Sequence, residues 1–247
     1  IEGHSLRDGE QITRADFYRR LPTLSQVPTT AAPPGHEFAL VFRRLLEEAD
    51  TIIAVLVSAS LSGMMNSAYI GKNELPGADI HLVDSRQVTM GLGWQAIVAA
   101  EAAAAGQSAV DILALLEDVR PRVRVVALLD TLDYLHRSGR VAWARVVAAR
   151  LLRIKPLIEV AEGVVSMAGR VRTRGKAIEQ VLRDTQALGR LERLASLHTA
   201  APPDLAAFRS RLEALFPDET IVSSEVGPVV GTHVGPWCLG IAAIVAA

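Results

Sequence analysis

The sequence predicts a two-domain α/β protein: a parallel-sheet α/β domain followed by an α+β domain with a mixed or antiparallel sheet. Three observations carry this. Apolar runs alternate with helix-compatible segments through the first half, at the spacing of a βαβ unit. Near Arg120-Pro121 the pattern changes to hairpins mixed with helices. The chain's 247 residues suffice for two moderate domains, placed here at 1–121 and 122–247.

The elements follow in order. Arg7-Asp8-Gly9-Glu10 is a turn, and Thr13 caps a short helix that runs through Tyr18. Leu21 to Pro34 is a Pro-, Thr- and Ser-rich loop, extended because each residue before a proline is pushed out of the helical region. Glu37–Glu48 is helical, with Phe38, Val41, Phe42 and Leu45 on one face. Ile52–Val57 is an apolar run of the kind that fills a central parallel strand. It ends in a hydroxyl-rich turn, Ser58 to Gly63, and a helix follows over Met64–Lys72. Asp79–Asp84 is the second strand, and the intervening helix makes the pair parallel with a right-handed crossover. Helices are expected at Gly93–Ala105 and Ala109–Val119.

In the second half, Val123–Leu129 reads as a strand and Asp130–Leu135 as a short helix, followed by a helix over Ala142–Leu152. The strand Ile154–Val160 turns at Glu162-Gly163 into Val164–Ala168, an antiparallel hairpin. Helix Lys176–Leu188, strand Leu191–His198, helix Asp204–Leu215 and strand Thr220–Ser224 come next. A glycine-punctuated loop, Gly227 to Pro236, leads to a last apolar strand over Trp237–Val245.

Composition removes several function classes. Half of the residues are hydrophobic but only 4% are aromatic, so the core is aliphatic. A net charge of −1 and a pI near 6.7 give no electrostatic case for nucleic acid or an acidic membrane. No apolar run approaches the ~20 residues that span a bilayer. The single cysteine, Cys238, excludes an intrachain disulfide and a cysteine-based metal cluster, and fits a reducing cytoplasm. The six histidines are dispersed, so no metal site is proposed. The chain starts at Ile1 on residues that read as the end of a strand and a turn, which suggests that an amino-terminal piece of the natural protein is absent.

The candidate chemistry sits in loops. A strand, a hydroxyl turn and a helix in succession aim free backbone N–H groups and serine hydroxyls at an anion beyond the strand's carboxyl end. Ser62 therefore has two readings, an ordinary helix N-cap or an anion ligand. His233 lies in a loop whose glycines allow close backbone approach. Asp84, at a strand end, either orients a ligand or caps the turn at Ser85. Arg170, Arg172 and Arg174 alternate at the end of the hairpin, solvated or facing a partner, while Asp130 and Arg140 bracket a helix and are placed to pair. The tail glycines are four apart and are neither a dinucleotide fingerprint nor a P-loop, and neither Ser60 nor Ser62 sits in a G-x-S-x-G elbow.

Taken in series, the motifs resemble one family. They are DG-x-x-IT-x-x-x-FY (Asp8 to Tyr18), PTT-x-x-P (Pro28 to Pro33), the Ser-Gly turn from Ser58 to Ala68, VDSR-x-x-x-MGLG (Val83 to Gly93), DTL-x-YL-x-x-SGR (Asp130 to Arg140), IKP (Ile154 to Pro156), R-x-R (Arg172, Arg174) and GP-x-x-GTH-x-GP (Gly227 to Pro236). Their order and coverage of nearly the whole chain resemble the DegV family of bacterial fatty-acid-binding proteins. The resemblance implies an EDD-type fold and a cytoplasmic protein that holds one long-chain fatty acid, such as palmitate, in an apolar tunnel between two domains. It implies no cofactor, no metal and no chemistry of its own, and for some members a separate fatty acid kinase as partner. Carried onto this sequence, the carboxylate ligands are Thr30 and Ser62 with His233 close by, and Gly63, Met64, Met65, Gly231 and Thr232 shape the tunnel and its loops. Arg172 and Arg174 become a candidate partner surface.

The sequence departs from the family pattern in four places. Ala31-Ala32 replaces Ser-Gln, Met64-Met65 replaces Thr-Tyr, Trp237 follows the last Gly-Pro, and the amino-terminal strand with its Thr-Asp-Ser turn is missing. The competing reading is a serine hydrolase built from Ser62, His233 and Asp84.

Overall fold

The computed structural model describes residues 1–144 and 154–247. The chain divides into two compact units. One comprises Ala31–Val123 and the hairpin tip Ala161–Val164; the other comprises Ile1–Thr30, Arg124–Val160 and Val165–Ala247. The cut after Val123 falls at the change of pattern seen in the sequence. The division into 1–121 and 122–247 nevertheless misplaces two segments, since the first 30 residues and the hairpin tip each cluster with the other half.

In the first unit, helix α2 (Gly35–Leu45) precedes strand β1 (Thr51–Leu56), helix α3 (Met64–Asn73), strand β2 (Asp79–Asp84), helix α4 (Thr89–Ala104) and helix α5 (Ala109–Val119). Strands β1 and β2 pair in parallel, from Thr51 opposite Asp79 to Leu56 opposite Asp84, as the βαβ spacing requires. Alternation along the strands feeds two cores. Ile52, Leu56 and Ile80 pack with Phe42 and Ala68 on one face, while Val83 packs with Ala99, Ala102, Ile112 and Leu116 on the other. Gly71 lets α2 and α3 touch: a Cβ there would lie 2.8 Å from the Ala39 backbone nitrogen. Helix α4 starts four residues earlier than the periodicity suggests.

The other unit opens with helix α1 (Arg14–Arg20), capped by the Thr13 hydroxyl. It continues with β3 (Val123–Leu128), α6 (Asp133–Ser138), β4 (Lys155–Ala161), β5 (Val164–Val171) and α7 (Arg174–Ala187). Then come β6 (Leu191–His198), α8 (Leu205–Leu215), β7 (Ile221–Glu225), α9 (Pro228–Val234) and β8 (Leu239–Val245). Its sheet has the order β5-β4-β3-β8-β6-β7 and is mixed: β3 with β4 and β6 with β8 are antiparallel, whereas β6 with β7 is parallel. Helices α7 and α8 supply Ala177, Val181, Phe208 and Leu212 to the largest core, against Leu128, Leu194 and Ile241 of the sheet. The part of the helix expected over Ala142–Leu152 that lies beyond Ala144 falls outside the described residues.

Two elements differ from expectation in ways that bear on function. Gly227 to Pro236 is not a loop, since Pro228 to Val234 form helix α9 with Pro228 in its first turn. Proline's fixed φ suits that position, and its missing N–H would have had no intrahelical partner there. Arg174 does not continue a strand but begins α7, behind the capping hydroxyl of Thr173.

Candidate functional site

In the second unit, the Thr30 hydroxyl and His233 Nε2 meet at 3.2 Å, joining residues 203 apart in sequence. Helix α9 aims His233 from its last turn. Below the helix, Tyr18 donates from its hydroxyl to the Val226 carbonyl at 2.6 Å, and its ring fills the space that a side chain at Gly231 would need. Burial pushes the Tyr18 phenol far above its ordinary range, so it stays a neutral donor. Thr232 is buried and donates back to the Pro228 carbonyl at 2.9 Å, so its hydroxyl serves the helix rather than a ligand.

His233 is held below the ordinary histidine value, first by burial and then by the positive charge of Arg140. Its ring is therefore neutral near pH 7, with one proton and two nitrogens to place. Nδ1 is buried without a hydrogen-bond partner. A buried unpaired N–H is costlier than a buried unpaired lone pair, which favours the tautomer protonated on Nε2. That tautomer donates to the Thr30 oxygen and leaves the Thr30 O–H free to donate onward. The pair thus presents a polarised hydroxyl and a nearby guanidinium, an arrangement that suits an anion.

In the first unit, three serines follow β1, and two are committed. Ser58 and Ser60 share a hydrogen bond at 2.9 Å, and Ser60 also donates to the Gly163 carbonyl at 2.5 Å. The tip is secured further by Gly163 N–H donating to the Arg86 carbonyl and by an Arg86–Glu162 ion pair at 2.6 Å. Ser62 differs. Its oxygen accepts from Met64 N–H at 3.3 Å, a turn contact two residues along, and its own proton has no acceptor among the described residues. The N-cap expected of Ser62 is taken instead by Gly63, without a side-chain cap bond, so Ser62 stands one residue before the cap with a donor to spare. Gly63 is exposed, and a Cβ built there would meet only Ala32 at 3.9 Å. Met64 and Met65 are half-buried, and Met65 packs against the Phe42 cluster.

The hydrolase constellation lacks its orienting acid. One Asp84 oxygen accepts from the backbone N–H groups of Ala59 and Arg86, at 3.2 and 2.9 Å, which makes it a turn cap. The nitrogen of His233 that a carboxylate would orient has no partner. The serine hydrolase reading is not supported.

Arg174 is also reassigned. It forms a bidentate pair with Asp204, at 2.6 and 2.8 Å, and donates to the Trp237 carbonyl at 2.6 Å. Asp130 binds Lys155 rather than Arg140. Of the two arginines set aside for a partner, only Arg172 is exposed. The sequence reading missed Tyr18 as the floor under Gly231 and Arg140 as the charge beside His233, although both stand inside motifs it had marked.

The family model described as "Uncharacterised protein, DegV family" matches residues 1–246. This chain belongs to the DegV family. A DegV domain-containing protein of Deinococcus radiodurans is 37% identical over 98% of this chain and 87% of its own length. A solved DegV family structure from Thermus thermophilus, described by its fatty acid binding, superimposes with a TM-score of 0.90 at 32% identity, covering 100% of this chain and 89% of that one. DegV of Bacillus subtilis, described as a fatty acid binding protein, gives 0.87 at 28% identity, over 98% and 88% of the two chains. The α/β class with a small parallel and a larger mixed sheet is that of the family.

Proposed function

We propose that this DegV family member binds one long-chain fatty acid, with the acyl chain in an apolar tunnel and the carboxylate held by the Thr30 and Ser62 hydroxyls beside His233. The observation that carries the reading is the Thr30–His233 pair at 3.2 Å, in which a half-buried imidazole held below its ordinary value favours the tautomer that leaves the threonine proton unspent. The fatty acid binding of the family relatives from Thermus thermophilus and Bacillus subtilis supports the choice of anion.

The energetics divide the labour. Burying some 14 methylenes at ~0.8 kcal/mol each is worth roughly 11 kcal/mol before association costs. A hydrogen bond to the charged head adds about 1.5–3 kcal/mol. The chain sets affinity, and the hydroxyls set orientation and compensate a desolvated carboxylate. Ala31 and Ala32, where the family pattern has Ser-Gln, loosen head-group selection more than overall binding.

The protein in this reading works without a cofactor or metal, in the cytoplasm, and presents its fatty acid to a separate kinase, with Arg172 on the docking surface. No helix among the described residues is long and apolar enough to cross a membrane. Native mass spectrometry of protein purified from cells tests the central claim. The expected result is a population heavier than the bare chain by one fatty acid, recovered on organic extraction. Bare mass and an empty extract refute it.

A further inference from the structure

We infer that Thr199 is a positioning residue for the His233–Thr30 pair, acting through the segment that joins α9 to β8; the inference rests on the fatty-acid reading above.

Thr199 is fully buried just beyond β6, and it bonds to this segment four times. Its hydroxyl donates to the Gly235 carbonyl at 2.9 Å and accepts from Cys238 N–H at 2.8 Å. Its backbone N–H donates to the Cys238 carbonyl at 3.1 Å, and its carbonyl accepts from Trp237 N–H at 3.2 Å. One small side chain therefore uses its donor and an acceptor on a stretch that starts two residues after His233.

That stretch needs holding. Gly235 has φ 78° and ψ −178°, a region open essentially to glycine alone, and Trp237 has φ 59° despite its bulk. A left-handed tryptophan persists only where its surroundings over-determine it. Here the determinants are Thr199 and Arg174, whose guanidinium is fixed by Asp204 while it bonds the Trp237 carbonyl. Helix α9 has seven residues and cannot hold its own direction, because so short a helix is unstable without tertiary anchors. Its start is anchored by Tyr18 on the Val226 carbonyl, and its end by Thr199 on Gly235. His233 lies in its last turn and reaches Thr30 at 3.2 Å, so a shift approaching 1 Å at the end of the helix breaks the contact.

The test compares Thr199→Val, which keeps the shape and removes the hydroxyl, with Thr199→Ser, which keeps the hydroxyl. Two readouts are taken: the titration of His233 by NMR without ligand, and affinities for palmitate and for hexadecanol. In Thr199→Val, His233 should move up toward the ordinary value of about 6.5 as its burial loosens. Palmitate affinity should fall about tenfold, the size of one weakened charged-group hydrogen bond, and hexadecanol affinity by much less. Thr199→Ser should restore both. A purely structural role would lower the melting temperature without moving the His233 titration or the acid-to-alcohol ratio. A folded Thr199→Val with both unchanged overturns the inference. If that variant does not fold, Arg174→Gln, which releases the Trp237 carbonyl, is read in the same way: a shifted His233 supports the clasp and an unmoved one overturns it. Should the wild type bind no fatty acid, the functional reading fails, while the ligand-free titration still decides the role of Thr199.

Discussion

Under the proposed fatty-acid reading, replacing Thr30 by valine separates the head-group contribution from that of the acyl chain. The substitution keeps the β-branched shape and removes one hydroxyl, whose hydrogen bond to His233 is 3.2 Å long. Thr30 is half-buried, so the expected stability change is small, within about 1 kcal/mol for one neutral hydrogen bond. Binding should respond more. Loss of a hydrogen bond to a charged carboxylate costs about 1.5–3 kcal/mol, which is roughly 10- to 150-fold in Kd. The matching alcohol loses only a neutral bond of about 0.5–1.5 kcal/mol, roughly 2- to 12-fold. The acyl contribution of roughly 11 kcal/mol is untouched in both. The acid-to-alcohol preference should therefore drop about tenfold, measured by competitive displacement of a fluorescent fatty acid with palmitate and with hexadecanol. Equal losses for the two competitors, or none for palmitate, would show that Thr30 does not face the carboxylate.

Further outcomes follow from other contacts. Ser62→Ala should also reduce palmitate affinity while hexadecanol binding stays nearly unchanged, and the lost turn contact to Met64 N–H should cost no more than about 0.5 kcal/mol in urea unfolding. Gly235→Ala forces a Cβ into the Tyr134 ring and into a glycine-only conformation, so it should destabilise by about 3 kcal/mol or leave the protein insoluble. His198 and His233 are both held below the usual value, chiefly by burial. As pH falls through about 6.5 the unfolded chain takes up protons first, so their contribution to stability is complete above that pH and is lost below it, down to the folded-state values. Urea midpoints should therefore decrease between about pH 7.5 and pH 5.5, and less steeply in His233→Gln.

Where local pattern decides structure, the sequence was legible. The strand Asp79–Asp84, the helix Ala109–Val119 and the strand Leu191–His198 form over the residues that periodicity marks. The parallel pairing of β1 and β2 follows from crossover length alone. Helix α9 was hidden because its glycines read as loop punctuation, although Gly227-Pro228 is also a helix-start signal. Arg174 was hidden in a similar way, since Thr173 caps a helix where strand alternation seemed to continue. Which core the first 30 residues would join had no local signature. It is decided by contacts such as Tyr18 to Val226, 208 residues apart. The Thr30–His233 pairing is of this kind and was reachable only through resemblance to the family. The use of Asp130 by Lys155 instead of Arg140 likewise depends on β4 lying beside β3.

The chain passes from one unit to the other four times, after Thr30, Val123, Val160 and Val164. This interleaving has a consequence during synthesis. A ribosome adding about 5–20 residues per second needs roughly 10–40 s to travel the 203 residues from Thr30 to His233. The segment Ile1–Thr30 must wait through that interval without the helix it packs on, and β8, which sits between β3 and β6, is the last strand to be made. A nascent or prematurely terminated chain thus has the Thr30 hydroxyl but not its His233 partner. Under the proposed fatty-acid reading, the pair that would hold the carboxylate is complete only near the end of translation.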